Sequence, residues 1–242
     1  MNEIVEGIIV SERAYSETSK IIDIITCEHG FISVLAKGAK SMKSKFRSNT
    51  GKLILANFNI VYKENKLSIL REVDVINFYK NIKKDITKIS YAAYILELAK
   101  QVVKQTGNNS VYENLISTLD KIDEGYDSLV LTNILELKYL YYLGVMPILD
   151  GCSKCGRASI ITLSVDAGGY LCKDCRNNET IVSEKTIKLI KMFYYLDISK
   201  ITKLSINDKV KEELNYFLSN YYDKYTGLYL KSKDFIKKVG KL

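Results

Sequence analysis

Three short stretches decide the fold of the first part of the chain: EIVEGIIV (Glu3–Val10), KIIDIITC (Lys20–Cys27) and FISVLAK (Phe31–Lys37). All three are rich in β-branched residues, which favour strands, and the segments between them are rich in turn-forming residues. Leu53–Tyr62 and Leu67–Val75 repeat the pattern. Five strands within about 75 residues predict a small antiparallel barrel, because closure removes exposed strand edges.

The hydrophobic period changes from that of strands to that of helices after Phe78-Tyr79. Apolar residues then recur every three or four positions, which predicts an amphipathic helix over about Lys84–Gln105 that ends at Gly107. Further helices are predicted over Val111–Asp123, Ser128–Leu143, Ser183–Leu196 and Asn207–Tyr222. The predicted fold is α+β: a five-stranded OB-type barrel over residues 1–80, then a helical domain over residues 81–242 that a ribbon interrupts at about residues 148–180.

Four cysteines, Cys152, Cys155, Cys172 and Cys175, follow the spacing C-x2-C-x16-C-x2-C. Each pair presents two thiolates from one tight turn, and this spacing is typical of zinc ribbons, in which four sulfurs bind one Zn²⁺. Two redox-active CxxC pairs or two short disulfides are the alternatives. Four protein ligands leave no open position for water, so we expect a structural Zn²⁺.

The composition is that of an ordinary globular protein, with 47% hydrophobic and 26% charged residues. No apolar run is long enough for a transmembrane helix, and the N-terminus is not a signal peptide, so we expect a cytoplasmic protein without membrane contact. The fifth cysteine, Cys27, lies in an apolar stretch and is expected to be a reduced core residue.

Several enzyme classes are disfavoured by missing motifs. The chain has neither a P-loop nor a G-x-S-x-G motif, and its single histidine, His29, leaves little room for a Ser-His-Asp mechanism. The H-x-E motif that accompanies the cysteines of base deaminases is also missing. We therefore expect no enzymatic activity and assign no catalytic residue.

A basic segment without carboxylates separates the third and fourth predicted strands. The 35 residues from His29 to Lys63 contain no Asp or Glu, and the net charge of the chain is +8. Basic side chains in this setting attract phosphates, and OB-type barrels bind oligonucleotides, so the segment predicts nucleic-acid binding. The predicted contacts are Lys37, Lys40, Lys43, Lys45 and Arg47, with Phe46 as a stacking platform for a base and Arg13 and Lys20 as an extension.

The basic segment has an alternative interpretation without nucleic-acid binding, and so has a second basic run near the C-terminus. The segment between the strands could be a solvated, mobile loop that happens to be basic. A second basic run near the C-terminus is typical of a solvated face or tail rather than a specific site. That run consists of Lys231, Lys233, Lys237, Lys238 and Lys241.

The segment GIIVSERAYSETSKIIDIITCEHGFISVLAKGAKSMKSKFRS, Gly7–Ser48, resembles the N-terminal signature of the RecO family of bacterial DNA repair proteins. The order of barrel, helical domain and four-cysteine ribbon is similar to that of the zinc-bearing branch of this family. The resemblance implies binding of single- and double-stranded DNA and annealing of complementary strands. It also implies that the partner RecR acts with the protein to help RecA replace single-stranded-DNA-binding protein (SSB).

The same resemblance carries the DNA-contact role onto the basic residues between Lys37 and Arg47. It further implies that the helical domain binds the acidic, Phe-terminated tail of SSB, in a pocket that cannot be assigned to named residues. The alternative function is a protein-interaction adaptor whose ribbon docks a partner without direct DNA binding. A zinc nuclease or deaminase is disfavoured by the closed ligand set and the missing His.

Overall fold

The computed structural model of this chain describes residues 2–239 and confirms the predicted α+β class. The chain divides into two compact units. We call Met1–Gly125 with Leu230–Leu242 the barrel unit, and Tyr126–Tyr229 the ribbon unit. The barrel unit therefore includes the helices up to residue 125 as well as the barrel. The domain boundary at residue 80 stays a prediction from the sequence.

The barrel consists of five strands: β1 (Asn2–Ala14), β2 (Lys20–Thr26), β3 (Gly30–Ala36), β4 (Leu55–Val61) and β5 (Ser68–Asn77). They close in the order β1-β2-β3-β5-β4, and every pair is antiparallel except β3 and β5. This is the five-stranded arrangement of an OB-type barrel. Its core is a single apolar cluster that includes Val5, Ile9, Ile22, Val34, Phe58 and Ile60.

Strand β1 is long enough to serve two neighbours. It pairs with β4 from Asn2 to Ile8 and with β2 from Gly7 to Ala14. The register shifts between Ile9 and Ser11, as at a β-bulge, and bulges bend a strand at barrel corners. The bulge lets β1 leave one side of the barrel and continue along the other.

Seven helices are described in the two units. They are α1 (Lys80–Lys83), α2 (Ile86–Thr106), α3 (Ser110–Glu124), α4 (Ser128–Tyr142), α5 (Glu184–Tyr195), α6 (Asp208–Tyr225) and α7 (Lys231–Val239). The Asp85 carboxylate caps the N-terminus of α2 by accepting from the amides of Thr87 and Lys88. Gly107 ends α2 in a left-handed conformation with φ 64°, as the sequence predicts. None of the described helices has the length and apolarity needed to cross a membrane.

The ribbon unit combines α4, α5 and α6 with a short hairpin, β6 (Thr162–Ser164) and β7 (Gly169–Leu171). Helix α4 is buried along most of its length, and the Tyr222 hydroxyl of α6 donates to the Glu136 carbonyl within it, at 2.8 Å. At the hairpin, a Cβ on Gly169 would lie 2.3 Å from the Ile148 carbonyl oxygen, so only glycine fits there.

The prediction that Cys27 lies in the core is wrong. Strand β2 ends at Thr26, so Cys27 lies in the following turn and is exposed rather than in the core. Desolvation, and after it the nearby carboxylate Glu28, raise the pKa of this thiol. In the C-terminal basic run, Lys231–Val239 form α7, Lys241 lies outside the described residues, and the interpretation of the run as a solvated face or tail stays a prediction.

Candidate nucleic-acid interface and metal centre

The segment between β3 and β4, residues 37–54, is compact, and we call it the basic loop. Successive turns organise its first half, with the amides of Ser41, Ser44 and Arg47 each donating to the carbonyl three residues earlier at 3.0–3.1 Å. Ala39 and Ile54 are buried in the barrel core and anchor the loop near both ends. These bonds and anchors argue against the interpretation of the segment as a mobile loop.

Hydrogen bonds tie the basic loop to the connection between β1 and β2. The Lys40 amide donates to the Thr18 carbonyl at 2.8 Å, and the Gly38 amide donates to the Ser19 hydroxyl at 3.2 Å. The Lys40 ammonium itself reaches the Ser16 carbonyl at 3.2 Å. The two connections that the sequence analysis combined into one surface are therefore in direct contact.

Four of the predicted DNA contacts meet around one surface hollow of about 480 Å³, which we call the loop hollow. Its basic lining residues are Arg13 from β1, Lys20 from β2, and Lys40 and Arg47 from the basic loop. Glu12 is the acidic residue that lines it. Three separate segments thus bring four cations together, an arrangement suited to phosphates.

The four cations of the loop hollow are not equally free. Arg13 pairs with Asp23 at 3.0 Å, and Lys20 pairs with Glu12 at 2.5 Å. By contrast, Lys40 contacts a carbonyl, and the Arg47 guanidinium contacts the Met42 sulfur, so neither contact neutralises the charge. The positive field of the hollow therefore comes mainly from the basic loop.

The remaining predicted DNA contacts lie elsewhere. Lys45 and Phe46 line another hollow of about 370 Å³, where Glu72 and Asp74 add negative charge. Phe46 is half-buried and packs against the barrel core, with the Lys45 ammonium 5.8 Å from its ring centroid. This setting is less favourable for a stacked nucleotide than an exposed ring in a basic groove. Lys37 and Lys43 are exposed on the basic loop and line neither hollow.

Asp23 is a polar hub beneath this surface that sequence reasoning missed. Its carboxylate is 3% exposed and accepts from the Ser11 and Ser33 hydroxyls at 2.6 Å and from Lys100 at 2.9 Å, besides pairing with Arg13. Burial opposes its ionisation, but the hydrogen bonds outweigh it and hold the pKa of Asp23 well below its usual range. The signal in the sequence was a lone Asp inside the apolar strand KIIDIIT.

The four cysteines form one cluster. The sulfurs of Cys152, Cys155, Cys172 and Cys175 all lie within 4.8 Å of one another, and the four thiols are free. The Cys155 and Cys172 sulfurs are 3.7 Å apart, close to the edge of about 3.8 Å expected for a tetrahedron with metal–sulfur bonds of about 2.3 Å. The donor set therefore fits one metal ion, and the alternative of two short disulfides is not what the described cysteines adopt.

Tight turns present the four sulfurs. The Gly156 amide donates to the Cys152 carbonyl at 2.8 Å, and the Arg176 amide donates to the Cys172 carbonyl at 3.1 Å, so each CxxC pair closes a turn of the same kind. The guanidinium of Arg157, after the first pair, forms an ion pair with Asp174 inside the second. The two turns are thus held face to face by groups other than the sulfurs.

The pKa values of the cysteine thiols are also consistent with binding of a cation. Burial alone would raise the pKa of Cys152, but hydrogen bonds from backbone amides, Cys172 foremost, outweigh it and lower this pKa to about 6. Hydrogen bonds with the Cys155 and Cys172 thiols raise the pKa of Cys175 to about 12. Without a metal ion the thiols therefore share protons, whereas a bound cation stabilises thiolates.

The ribbon is fastened to the helices of its own unit. The Tyr170 hydroxyl donates to the Ile187 carbonyl of α5, and the Tyr225 hydroxyl of α6 donates to the Val165 carbonyl at 2.8 Å. An ion pair between Lys224 and Asp166 at 2.6 Å adds a further link to α6. The four cysteines therefore cross-link one end of the ribbon, and α5 and α6 bind the other end. This arrangement is expected for a structural metal site.

Comparison with known proteins agrees with this architecture. The family "Recombination protein O N terminal" matches residues 1–79, and "Recombination protein O C terminal" matches residues 83–234. A "DNA repair protein RecO" from Listeria monocytogenes serotype 4a is 33% identical over 241 residues, which cover 98% of this chain and 94% of the relative.

Proteins with the same name from two Bacillus species have a similar sequence identity to this chain. The one from Bacillus cytotoxicus is 34% identical over 98% of this chain and 97% of its own length. The one from Bacillus pumilus is 31% identical over 97% of this chain and 93% of its own length. The chain belongs to the RecO family of DNA repair proteins.

Proposed function

We propose that this protein is a mediator of recombinational DNA repair that binds single- and double-stranded DNA through its barrel unit. The observation that carries the proposal is the loop hollow, where Arg13, Lys20, Lys40 and Arg47 meet on an OB-type barrel. Membership of the RecO family supports the biological role, and the proposal places the protein with the bacterial DNA in the cytoplasm.

The proposed mechanism is electrostatic. Complementary strands repel each other through their phosphates, and a basic surface that neutralises phosphates lowers this repulsion so that bases can pair. No covalent step is required, so the proposed mediator is not an enzyme. With RecR it would help RecA replace SSB, whose acidic tail it would bind through its helices; these partners follow from the family resemblance.

We also propose that the four cysteines bind a structural Zn²⁺. Four thiolates in a tetrahedral arrangement suit Zn²⁺, and four protein ligands leave it no position for water or substrate. When bound, the ion would cross-link the two CxxC turns and would take no part in catalysis. The sulfur positions and the paired turns of Cys152 and Cys172 support this assignment.

A salt titration tests the proposed DNA binding. We expect the affinity for a fluorescent single-stranded oligonucleotide to fall with salt at a log–log slope of about −3.5 to −5, as for five to seven phosphate contacts. In the variant K40Q/K43Q/K45Q/R47Q, the slope should shrink by about 3, since each lost contact on a single strand contributes roughly 0.7.

The matched control is K80Q/K84Q/K88Q/K209Q, which removes the same charge from lysines that line neither the loop hollow nor the hollow beside Lys45 and Phe46. It should change the affinity by less than the loop variant does. A wild-type protein with a flat salt dependence, or equal losses in the two variants, would contradict DNA binding at the basic loop.

One observation favours the second candidate, a protein-interaction adaptor. In the ribbon unit, a groove of about 490 Å³ runs between the ribbon and α6, and Ile181 and Tyr216 at its margin are 57% and 73% exposed. Exposed apolar side chains beside a groove are typical of docking surfaces. An adaptor without DNA binding would give no signal in the oligonucleotide titration, which separates the two candidates.

A further inference from the structure

A second basic hollow, of about 640 Å³, lies in the barrel unit beside β1, α2 and α7, and we call it the helix hollow. Its four lysines are Lys52, Lys100, Lys104 and Lys231. Lys52 lies near the end of the basic loop, Lys100 and Lys104 lie one turn apart on α2, and Lys231 begins α7. The basic loop, α2 and α7 are far apart in the sequence, so only the fold brings these three segments together.

The acidic groups near the helix hollow are already engaged. Glu97, the acidic residue that lines it, accepts from the backbone amides of Lys231 at 3.2 Å and Ser232 at 2.8 Å. Its charge therefore stabilises the N-terminus of α7. Among the ion pairs of the described residues, Lys100 is paired with Asp23, and the other three lysines of the hollow are not paired.

The lysines of the helix hollow also repel one another. Desolvation lowers the pKa of Lys52 and of Lys104, and the positive charge of Lys100 also lowers both, although the carboxylates Glu97 and Asp23 offset part of the shift in Lys52 and Lys104 respectively. The Lys104 ammonium lies 4.0 Å from the Phe31 ring centroid, so a fixed aromatic face holds this cation in place. A bound anion would relieve this repulsion, so the cluster is electrostatically suited to anionic groups.

The helix hollow continues the loop hollow along β1. Val10 and Ser11 line the helix hollow, and the next residues, Glu12 and Arg13, line the loop hollow. Two residues of a strand span about 7 Å, about the axial rise of two nucleotides in one strand of a duplex. The Asp23 carboxylate connects the two sites, since it binds Arg13 of one and Lys100 of the other.

We propose that the helix hollow binds phosphates of the same DNA strand that the loop hollow binds, so that the two form one continuous track across the barrel unit. The inference rests on the proposed DNA binding and extends it to Lys52, Lys104 and Lys231. Phe235, which is 43% exposed at the hollow, offers an unpaired base an aromatic surface. The continuity with the loop hollow favours DNA over an acidic peptide as the occupant.

Oligonucleotide length tests the track. The variant K52Q/K104Q/K231Q leaves Lys100, which holds Asp23, in place. For oligo(dT) of about 40 nucleotides, we expect at least about tenfold weaker binding and a salt slope smaller by about 2, as for three lost contacts. A (dT)2 probe is too short to occupy both hollows at once, so its weaker binding at the loop hollow should change by less than about twofold.

The matched control is K80Q/K84Q/K88Q, which removes the same charge away from the helix hollow. Unchanged binding of the long oligonucleotide by the track variant, or an equal loss in the control, would overturn the track while leaving DNA binding at the loop intact. A wild-type protein that binds neither length would remove the proposed function itself. If the track variant instead lost a fluorescent Asp-rich peptide and kept the long oligonucleotide, the hollow would be a protein-docking site.

Discussion

A polar cluster cross-links the segments of each unit: the contacts of Asp23 in the barrel unit and the four cysteines in the ribbon unit. The two clusters differ in how much of the surrounding fold depends on them. Asp23 joins β1, β2, β3 and α2 on a barrel that already has a continuous apolar core. The four cysteines join two turns whose buried cluster consists of little more than Leu171 and the cysteines Cys152 and Cys172 themselves. We therefore expect Asp23 to position charges on a barrel that folds around its own apolar core, whereas the proposed metal ion would be required for the ribbon to fold.

The largest expected effect comes from removing the metal site. Cys172→Ser with Cys175→Ser should abolish stoichiometric zinc binding and destabilise the ribbon by more than about 5 kcal/mol, because structural zinc supplies most of the folding free energy of such small segments. DNA affinity of the barrel unit should change by less than about twofold, because its lysines are held by another core. Zinc content, hydrogen exchange of residues 148–182 and oligonucleotide titration measure these effects.

Cys27→Ser is the matched control for the cysteine pair. It removes an exposed thiol outside the cluster and should leave zinc content and stability unchanged. If the variant with Cys172 and Cys175 replaced stayed folded but lost DNA binding alone, the ribbon would be a direct contact surface and the comparison between the two units would be reversed.

A smaller effect is expected from the hub. Asp23→Asn should lower the free energy of unfolding by roughly 2–3 kcal/mol at pH 7, less than for a fully buried pair because Arg13 and Lys100 are 54% and 27% exposed. The folded pKa of Asp23 is depressed, so its stabilisation is complete above the unfolded pKa of about 3.9 and is lost as the pH falls below it. Chemical denaturation of wild type and variant from about pH 7 to pH 3 should show the difference narrowing.

Asp74→Asn provides the comparison for this experiment, because it neutralises an exposed carboxylate of the same barrel. It should cost little at any pH. A stability difference for Asp23→Asn that stayed constant down to about pH 3 would contradict a depressed pKa and point to a purely steric role.

The smallest effect concerns a helix cap in the ribbon unit. The Ser183 hydroxyl accepts from the Thr186 amide at 3.2 Å and donates to Glu213 at 3.0 Å, so it caps α5. Ser183→Ala should cost about 1 kcal/mol in unfolding free energy. Ser183→Thr retains the hydroxyl and should restore most of the loss; equal destabilisation by both variants would mean that the cap is not the cause.

Local patterns in the sequence predicted most of the fold. β-Branched runs gave the five strands to within a few residues, and Gly107 and Ser183 marked the end of α2 and the start of α5. They did not reveal that Cys27 falls one residue beyond the end of β2. Nor did they predict α7, whose N-terminus depends on Glu97 of α2, more than 130 residues away.

The sequence by itself determined the chemistry that is available: four cysteines at metal-binding spacing, and a basic segment free of carboxylates. Both are local patterns, because thiolates on a tight turn and lysines on one loop need no distant partner to be recognised. Only the tertiary structure decided which cations act together. It paired Arg13 and Lys20 with carboxylates and gathered Lys52, Lys100, Lys104 and Lys231 from three segments, since electrostatic fields depend on distance in space rather than along the chain.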